Sequence, residues 1–241
     1  MTGTILNVAT VLLGSFLGLF LGARLTDRLR EMLTAVLGLF TLAIGVDMFL
    51  EGLAVEGENI LVPLISLLVG GLLGEWWKVE ERLRNVGARL EARFAGGSGE
   101  AVEGNRFIRG FVTASLLFCV GPMTILGSIQ DGLLGDYQLL AVKSVMDGFA
   151  SLALASAFGV GVFFSALVVL LYQGGLTLGA AQLQNLFTPL MLAELSAVGG
   201  VLLLSLAVGP LLNLKPIRTA NLLPALLVAP LLSAALSFLG W

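Results

Sequence analysis

The sequence predicts an all-α, polytopic membrane protein with about eight transmembrane segments. Composition is the first reason. Apolar residues make up 57% of the 241 positions and charged residues 12%, with a mean hydropathy of +0.99. Soluble domains carry about 25% charge, and a single soluble core could not hide so much apolar surface. Length of the apolar runs is the second reason. Six stretches reach the roughly 20 residues that a bilayer-crossing helix needs, at residues 4–23, 32–50, 60–77, 162–181, 190–212 and 221–239. They are too long and too continuous for barrel strands, which alternate over about 10 residues. The third reason is the uneven placement of basic residues between those runs, taken up below.

The first stretch has neither a basic leader nor a small-residue cleavage site after it, so it reads as a retained helix. Residues 78–94 differ in kind. Val79, Leu83, Val86 and Leu90 recur at helical spacing among Glu and Arg. That pattern reads as an amphipathic helix on the inner membrane face, or equally as a helix packing on another subunit. Residues 95–105, AGGSGEAVEGN, read as a flexible linker. Two further runs, 107–129 and 137–158, are long enough to cross but unusual. One is broken at Gly121-Pro122, and the other carries Lys143 and Asp147. The expected organisation is a first three-helix block with its amphipathic helix (1–94), the linker (95–105), a central broken pair (106–160) and a second three-helix block (161–241).

Twelve of the 13 basic residues fall in three segments: after the first stretch (Arg24, Arg28, Arg30), after the third (Lys78 to Arg109), and between the last two (Lys215, Arg218). Residues 51–58 hold three carboxylates and no base, and residues 131–136 hold two. The positive-inside rule places the basic segments in the cytoplasm of a bacterial inner membrane and both termini outside. Lys215 is inside only if residues 107–158 cross an even number of times. They therefore form two spans, or a re-entrant pair beside six spans. The base-free turn at Asp131 and Asp136 favours two spans.

The two ends of the chain are alike. LTAVLG at Leu33 matches LSAVGG at Leu195, and NIL at Asn59 matches NLL at Asn221, both at an offset of 162 residues. GSFLG at Gly14 matches GLTLG at Gly175 at an offset of 161. An even number of intervening crossings makes the copies opposite in orientation. Inverted three-helix repeats are the architecture of many secondary transporters, whose sites lie at the repeat interface.

Candidate site residues gather in the central pair. Pro122 removes a backbone donor, and Gly121 and Gly127 loosen the helix around it. Carbonyls freed within a membrane need partners or a wet cavity. Thr124, Ser128, Gln130 and Asp131 follow the break closely, and would bind a solute or ion with the opened backbone. Lys143 and Asp147, four residues apart, share a helix face, and charges within spans are costly. Asp147 reads as a coordinating or titrating group with Lys143 as its switchable partner. A structural ion pair reads about equally well, as does a Pro-kinked helix satisfied by its neighbours. Gly148 follows Asp147 directly and can break the helix there. Glu194, after the N-cap pair Thr188-Pro189, is a weaker candidate, since a first-turn carboxylate also favours the helix dipole. Gln173 suits an interhelical hydrogen bond, Asp47 an exposed position near a membrane interface, and Glu75-Trp76-Trp77-Lys78 an interfacial anchor. The Gly14/Gly18/Gly22, Gly70/Gly74 and Gly175/Gly179 spacings permit close helix packing, within one chain or between copies.

The remaining absences exclude function classes. With no histidine, the commonest metal ligand and general base is missing. The single cysteine, Cys119, lies in an apolar run, so there is no disulfide framework. There is no Walker A sequence and no basic field for nucleic acid. The expectation is therefore no enzyme, no cofactor and no metal site. The expected partners are the lipid bilayer and a small solute or ion, with a homo-oligomer left open.

The string GPMTILGSIQDG from Gly121, followed by KSVMDG from Lys143, resembles a bacterial inner-membrane family catalogued as domain of unknown function 554. GEWW at Gly74, GLF at Gly38 and NLLP at Asn221 are similar to its motifs. The resemblance covers essentially the whole chain. It implies a polytopic inner-membrane protein, often labelled a transporter, and implies no particular substrate or mechanism. The residues themselves point to a secondary transporter or channel for a small solute or ion. The rival reading is a non-transporting scaffold or sensor acting through residues 78–105.

Overall fold

A computed structural model describes residues 1–55, 57, 59–94, 101–183 and 187–238. It is built of helices, which follow the predicted stretches closely. They are α1 (Thr2–Gly22), α2 (Asp27–Leu53), α3 (Leu61–Trp77), α4 (Val79–Phe94), α5 (Ala101–Cys119), α6 (Pro122–Leu133), α7 (Gln138–Phe158), α8 (Gly161–Leu178), the short α9 (Ala180–Leu183), α10 (Pro189–Leu206) and α11 (Ala225–Phe238). Among the described residues six helices are long and apolar enough to cross a membrane, and up to eight if two bent pairs each count as one span. The part of the expected linker at residues 101–105 belongs to α5. Residues 95–100 lie outside the described set, as does part of the turn before Thr188. Packing divides the chain into two compact units that interleave along the sequence: residues 1–37, 83–119 and 123–183 form the first, and residues 38–82, 120–122 and 184–241 the second.

In the first unit α1 lies along α7, and glycine is the reason they come so close. A Cβ at Gly14 would overlap the Gly148 carbonyl oxygen, one at Gly18 the Leu152 carbonyl, and one at Gly22 the backbone of Ser156. Contacts advance in the same sense on both helices, so α1 and α7 are parallel. The predicted break at Gly148 does not occur. α7 continues through it to Phe158, and Gly148 instead admits α1. α8 is antiparallel to α1, since Thr4 meets Thr177 and Asn7 meets Gln173.

α5 starts beside the end of α7, where Arg106 donates to the Ala157 carbonyl at 2.9 and 2.7 Å. α6 ends beside the start of α1, where Asp131 accepts from the Gly3 N–H at 3.0 Å. With a 62° bend between them, α5 and α6 therefore run once along the full length of α1 and α7. Phe111, Phe118, Leu140, Leu154, Val162 and Val169 fill the core of this unit. α4 lies against α5 at Gly87, where an added Cβ would press on Phe111. Val86 stays exposed, so only part of the apolar stripe is covered.

The second unit has two antiparallel pairs. α2 meets α10 through Gly45 against Gly200 and Gly52 against Ala193 and Ala197. α3 meets α11 through Gly70 against Ala225, and meets the 3-10 turn before it (Thr219–Leu222) through Gly74 against Asn221. Thr188 caps α10, its hydroxyl accepting the Met191 N–H at 3.2 Å, with Pro189 in the first position. α10 ends in a π turn (Ala207–Leu211) around Pro210, which cannot donate within it. Gly175, on α8 of the first unit, has nothing within 4 Å of its would-be Cβ, unlike Gly14, Gly18, Gly22, Gly70 and Gly74.

Candidate functional site

The candidate site begins with a missing hydrogen-bond donor. In a continuous helix the Phe118 carbonyl would accept from residue 122, four positions on. Residue 122 is proline and has no N–H. α5 stops at Cys119, and Gly121 takes φ +132°, a backbone conformation that glycine reaches without a Cβ penalty. The freed carbonyl is taken up by Lys143, whose Nζ donates to it at 2.8 Å. The Thr124 hydroxyl approaches the same oxygen at 3.4 Å.

The other side of the ammonium meets Asp147. Lys143 Nζ donates to Asp147 Oδ2 as a salt bridge between residues one turn apart on α7. Both side chains are buried, at 6% and 8% exposure, so this is no solvated surface pair. Asp147 Oδ2 also accepts from Asn7 Nδ2 of α1 at 3.0 Å. Asn7 Nδ2 donates further to Gln173 Oε1 of α8 at 2.8 Å. Gln173 Nε2 donates to the Thr4 hydroxyl at 3.3 Å, and Thr4 and Thr177 share a hydroxyl bond of 3.1 Å. A polar chain thus runs from α5 through α7 and α1 to α8 inside an apolar unit. Within it the Asn7 Oδ1 atom is buried and has no hydrogen-bond partner.

A second polar group lies one turn up α1. Gly3 and Asn7 are four residues apart, about 6 Å of helix rise. Asp131 Oδ2 receives the Gly3 N–H and lies 3.0 Å from the Met1 nitrogen, so it sits at the positive end of the α1 dipole. Its Oδ1 and the Ser128 hydroxyl are buried without partners. Thr124, Ser128 and Asp131 share one face of α6, whereas Gln130 lies on the opposite side and is half-buried.

The structure therefore joins Lys143, Asp147 and Thr124 at the break made by Gly121 and Pro122, with Ser128 and Asp131 further along α6. Glu194 belongs to the second unit, where it is 1% exposed, in the second turn of α10 rather than the first. Asp47 is exposed. Glu75 forms an ion pair with Arg218 and accepts from Asn221 Nδ2 at 2.6 Å, while Glu80 N donates to Asn221 Oδ1 at 2.8 Å. The GEWW and NLLP motifs thus meet in one polar cluster that ties the α3–α4 corner to the chain before α11.

Sequence reasoning missed Asn7, Thr4 and Thr177. The available signal was an amide within the first apolar run, since an amide in a span seeks a partner on another helix. The Phe118 carbonyl was legible only as one unnamed member of the opened backbone. Among the described residues no group of three or more Cys, Asp and Glu side chains gathers to hold a metal ion.

Comparison with known proteins agrees with the composition. The chain is 32% identical over 230 residues to the uncharacterized membrane protein YdfK of Bacillus subtilis (strain 168), covering 95% of this chain and 94% of that one. It is 34% identical over 233 residues to the uncharacterized protein YqgA of Escherichia coli (strain K12), covering 97% and 96%. No solved structure matches. Residues 2–234 match the family described as "Protein of unknown function (DUF554)", and nearly the whole chain is accounted for by that match. With apolar helices of membrane length, a relative named as a membrane protein and this end-to-end match, the chain is a membrane protein of the DUF554 family.

Proposed function

We propose that this protein is a secondary transporter or channel of the bacterial inner membrane for a small solute or ion, with its site at the Asn7–Lys143–Asp147–Gln173 network. The observation that carries the reading is a buried ion pair bonded to a carbonyl that a helix break has freed. A buried charge pair is a weak source of stability, because desolvation offsets most of the Coulomb gain. Charged groups within spans commonly mark ion and substrate pathways. Discontinuous helices supply backbone oxygens to such sites. The partnerless atoms Asn7 Oδ1, Ser128 Oγ and Asp131 Oδ1 offer further acceptors.

Helix packing supports the inverted-repeat part of the reading. The offset of 162 residues pairs α1 with α8, α2 with α10 and α3 with α11. Each pair packs antiparallel, as opposite orientations in the membrane require. In this reading the basic segments face the cytoplasm and both termini face outward.

A thermal-shift screen of purified protein in detergent tests the reading, across monovalent and divalent ions, pH and small metabolites. The control is Lys143→Met/Asp147→Asn, which removes both charges together. Removing one alone leaves an unpaired buried charge and costs about 3–5 kcal/mol. A ligand at a hundredfold excess over Kd stabilises the folded state by about 2.7 kcal/mol. The expected result is a saturable shift in the parent, lost in the double variant, followed by solute flux in vesicles. If neither ligand nor flux distinguishes parent from double variant, the transport reading is wrong. The scaffold reading then gains, supported by the exposed Arg82, Arg84, Val86 and Arg89 of α4. Deleting residues 95–103 would be its test, expected to disturb a sensor and spare a transporter.

A further inference from the structure

The Lys143 ammonium occupies a setting that would also suit a bare monovalent cation. Its oxygen neighbours are the Phe118 carbonyl at 2.8 Å and the Asp147 carboxylate. Asn7 holds that carboxylate through Nδ2 at 3.0 Å, and the buried Oδ1 of the same amide has no partner. The two oxygens come from α5 and α7, and α1 supplies the amide that holds the carboxylate. One is a carbonyl without a helical partner, because Pro122 stands where the donating N–H would be. A backbone carbonyl at a break, a carboxylate and an amide oxygen are the hard donors that alkali cations take, and unwound carbonyls serve this purpose in membrane carriers. The ammonium is tethered one turn before Asp147, so it is always close at hand.

We propose that this is a monovalent-cation site whose resident cation is the Lys143 ammonium, and that free Na⁺ or K⁺ takes its place when the ammonium is removed. The inference rests on reading the network as a binding site, and it names the class of ligand that its oxygens take once the ammonium is gone. A purely structural ion pair makes the opposite forecast. With its lysine truncated, it leaves a buried carboxylate that favours no small cation over a large one.

The test uses purified full-length protein in detergent, with thermal midpoints followed in NaCl and KCl against choline chloride at equal ionic strength. The parent is expected to show no difference between the salts. Lys143→Ala is expected to gain about 5–10 °C, saturably, at a hundredfold excess of Na⁺ or K⁺ over Kd. Lys143→Ala/Asp147→Asn is expected to lose that response. Equal midpoints for Lys143→Ala in all three salts would overturn the proposal. If Lys143→Ala is not recovered folded in any salt, Lys143→Gln takes its place, with the same expected rise and the same overturning result. The two readings fail separately. A parent that responds to a solute, beside a lysine variant indifferent to every cation, overturns the cation site and leaves transport standing. A cation-responsive variant whose parent moves no solute in vesicles overturns transport and leaves the site.

Discussion

Pro122 acts on Phe118, four residues earlier, rather than on anything it touches. By lacking an N–H it leaves the Phe118 carbonyl to Lys143, and that ammonium is in turn held by Asp147. Restoring the donor reverses the argument. Pro122→Ala offers Phe118 its ordinary helical partner, in competition with Lys143. The variant is expected to stay within about 1 kcal/mol of the parent in thermal stability, since Pro122 stands at the first position of α6, where proline is tolerated. It is also expected to weaken ligand response or flux severalfold. A Pro122→Ala protein that is markedly less stable than the parent would show that the break holds the fold rather than the site. At this scale the break and the charge pair were readable from residue type and spacing. The partners were not, because Asn7 and Asp147 are 140 positions apart, and nothing local to either announces the other.

Helix α1 shows how glycine spacing becomes packing. Gly14, Gly18 and Gly22 place one face of α1 against the backbone of α7, with no room for a methyl group. That contact holds Asn7 against Asp147, so the site depends on it. Gly14→Ala and Gly18→Ala are each expected to destabilise the protein by about 1–3 kcal/mol through overpacking. Gly175→Ala, which meets nothing within 4 Å, is expected to stay within about 0.5 kcal/mol of the parent. Thermal or denaturant unfolding in detergent measures all three. Equal effects at Gly14 and Gly175 would contradict the packing described. From sequence the two motifs look the same, since each spaces its glycines four residues apart. Only the neighbour facing them tells them apart, and the neighbour is a tertiary fact. Gly148 was misread for the same reason: a glycine after a charged residue suggests a break, but here it is the gap that α1 enters.

For the whole molecule, the question is which side of the membrane each turn faces. Within the first unit, α1 and α7 run parallel while α5–α6 and α8 run against them. This alternation is what two crossings within residues 107–158 require. Single cysteines at Leu134 and Lys215, in a Cys119→Ala background, make the topology measurable. Leu134 is exposed beside Asp136, and Lys215 lies in the basic segment before α11. A membrane-impermeant thiol reagent applied to intact inner-membrane cells is expected to label Leu134→Cys and spare Lys215→Cys. Labelling of Lys215→Cys from outside would overturn the even number of crossings and the inverted repeat together.

By itself the sequence determined what depends on composition and local spacing. Apolar excess and run length give a helical membrane protein, because an unsatisfied backbone in lipid leaves few other options. Proline and glycine positions give the break, and the 162-residue offset pairs the helices that later prove antiparallel neighbours. The tertiary structure decided what depends on distant residues meeting. It chose Asn7 as the partner of Asp147, Lys143 as the occupant beside the Phe118 carbonyl, and Asn221 as the companion of Glu75. It also buried Glu194 within the second unit. Nearly every residue in a span is apolar whether it faces lipid or a neighbour, so periodicity carries little information about which face meets which. The polar exceptions carry more, but each reports only that a partner exists, and packing decides which one.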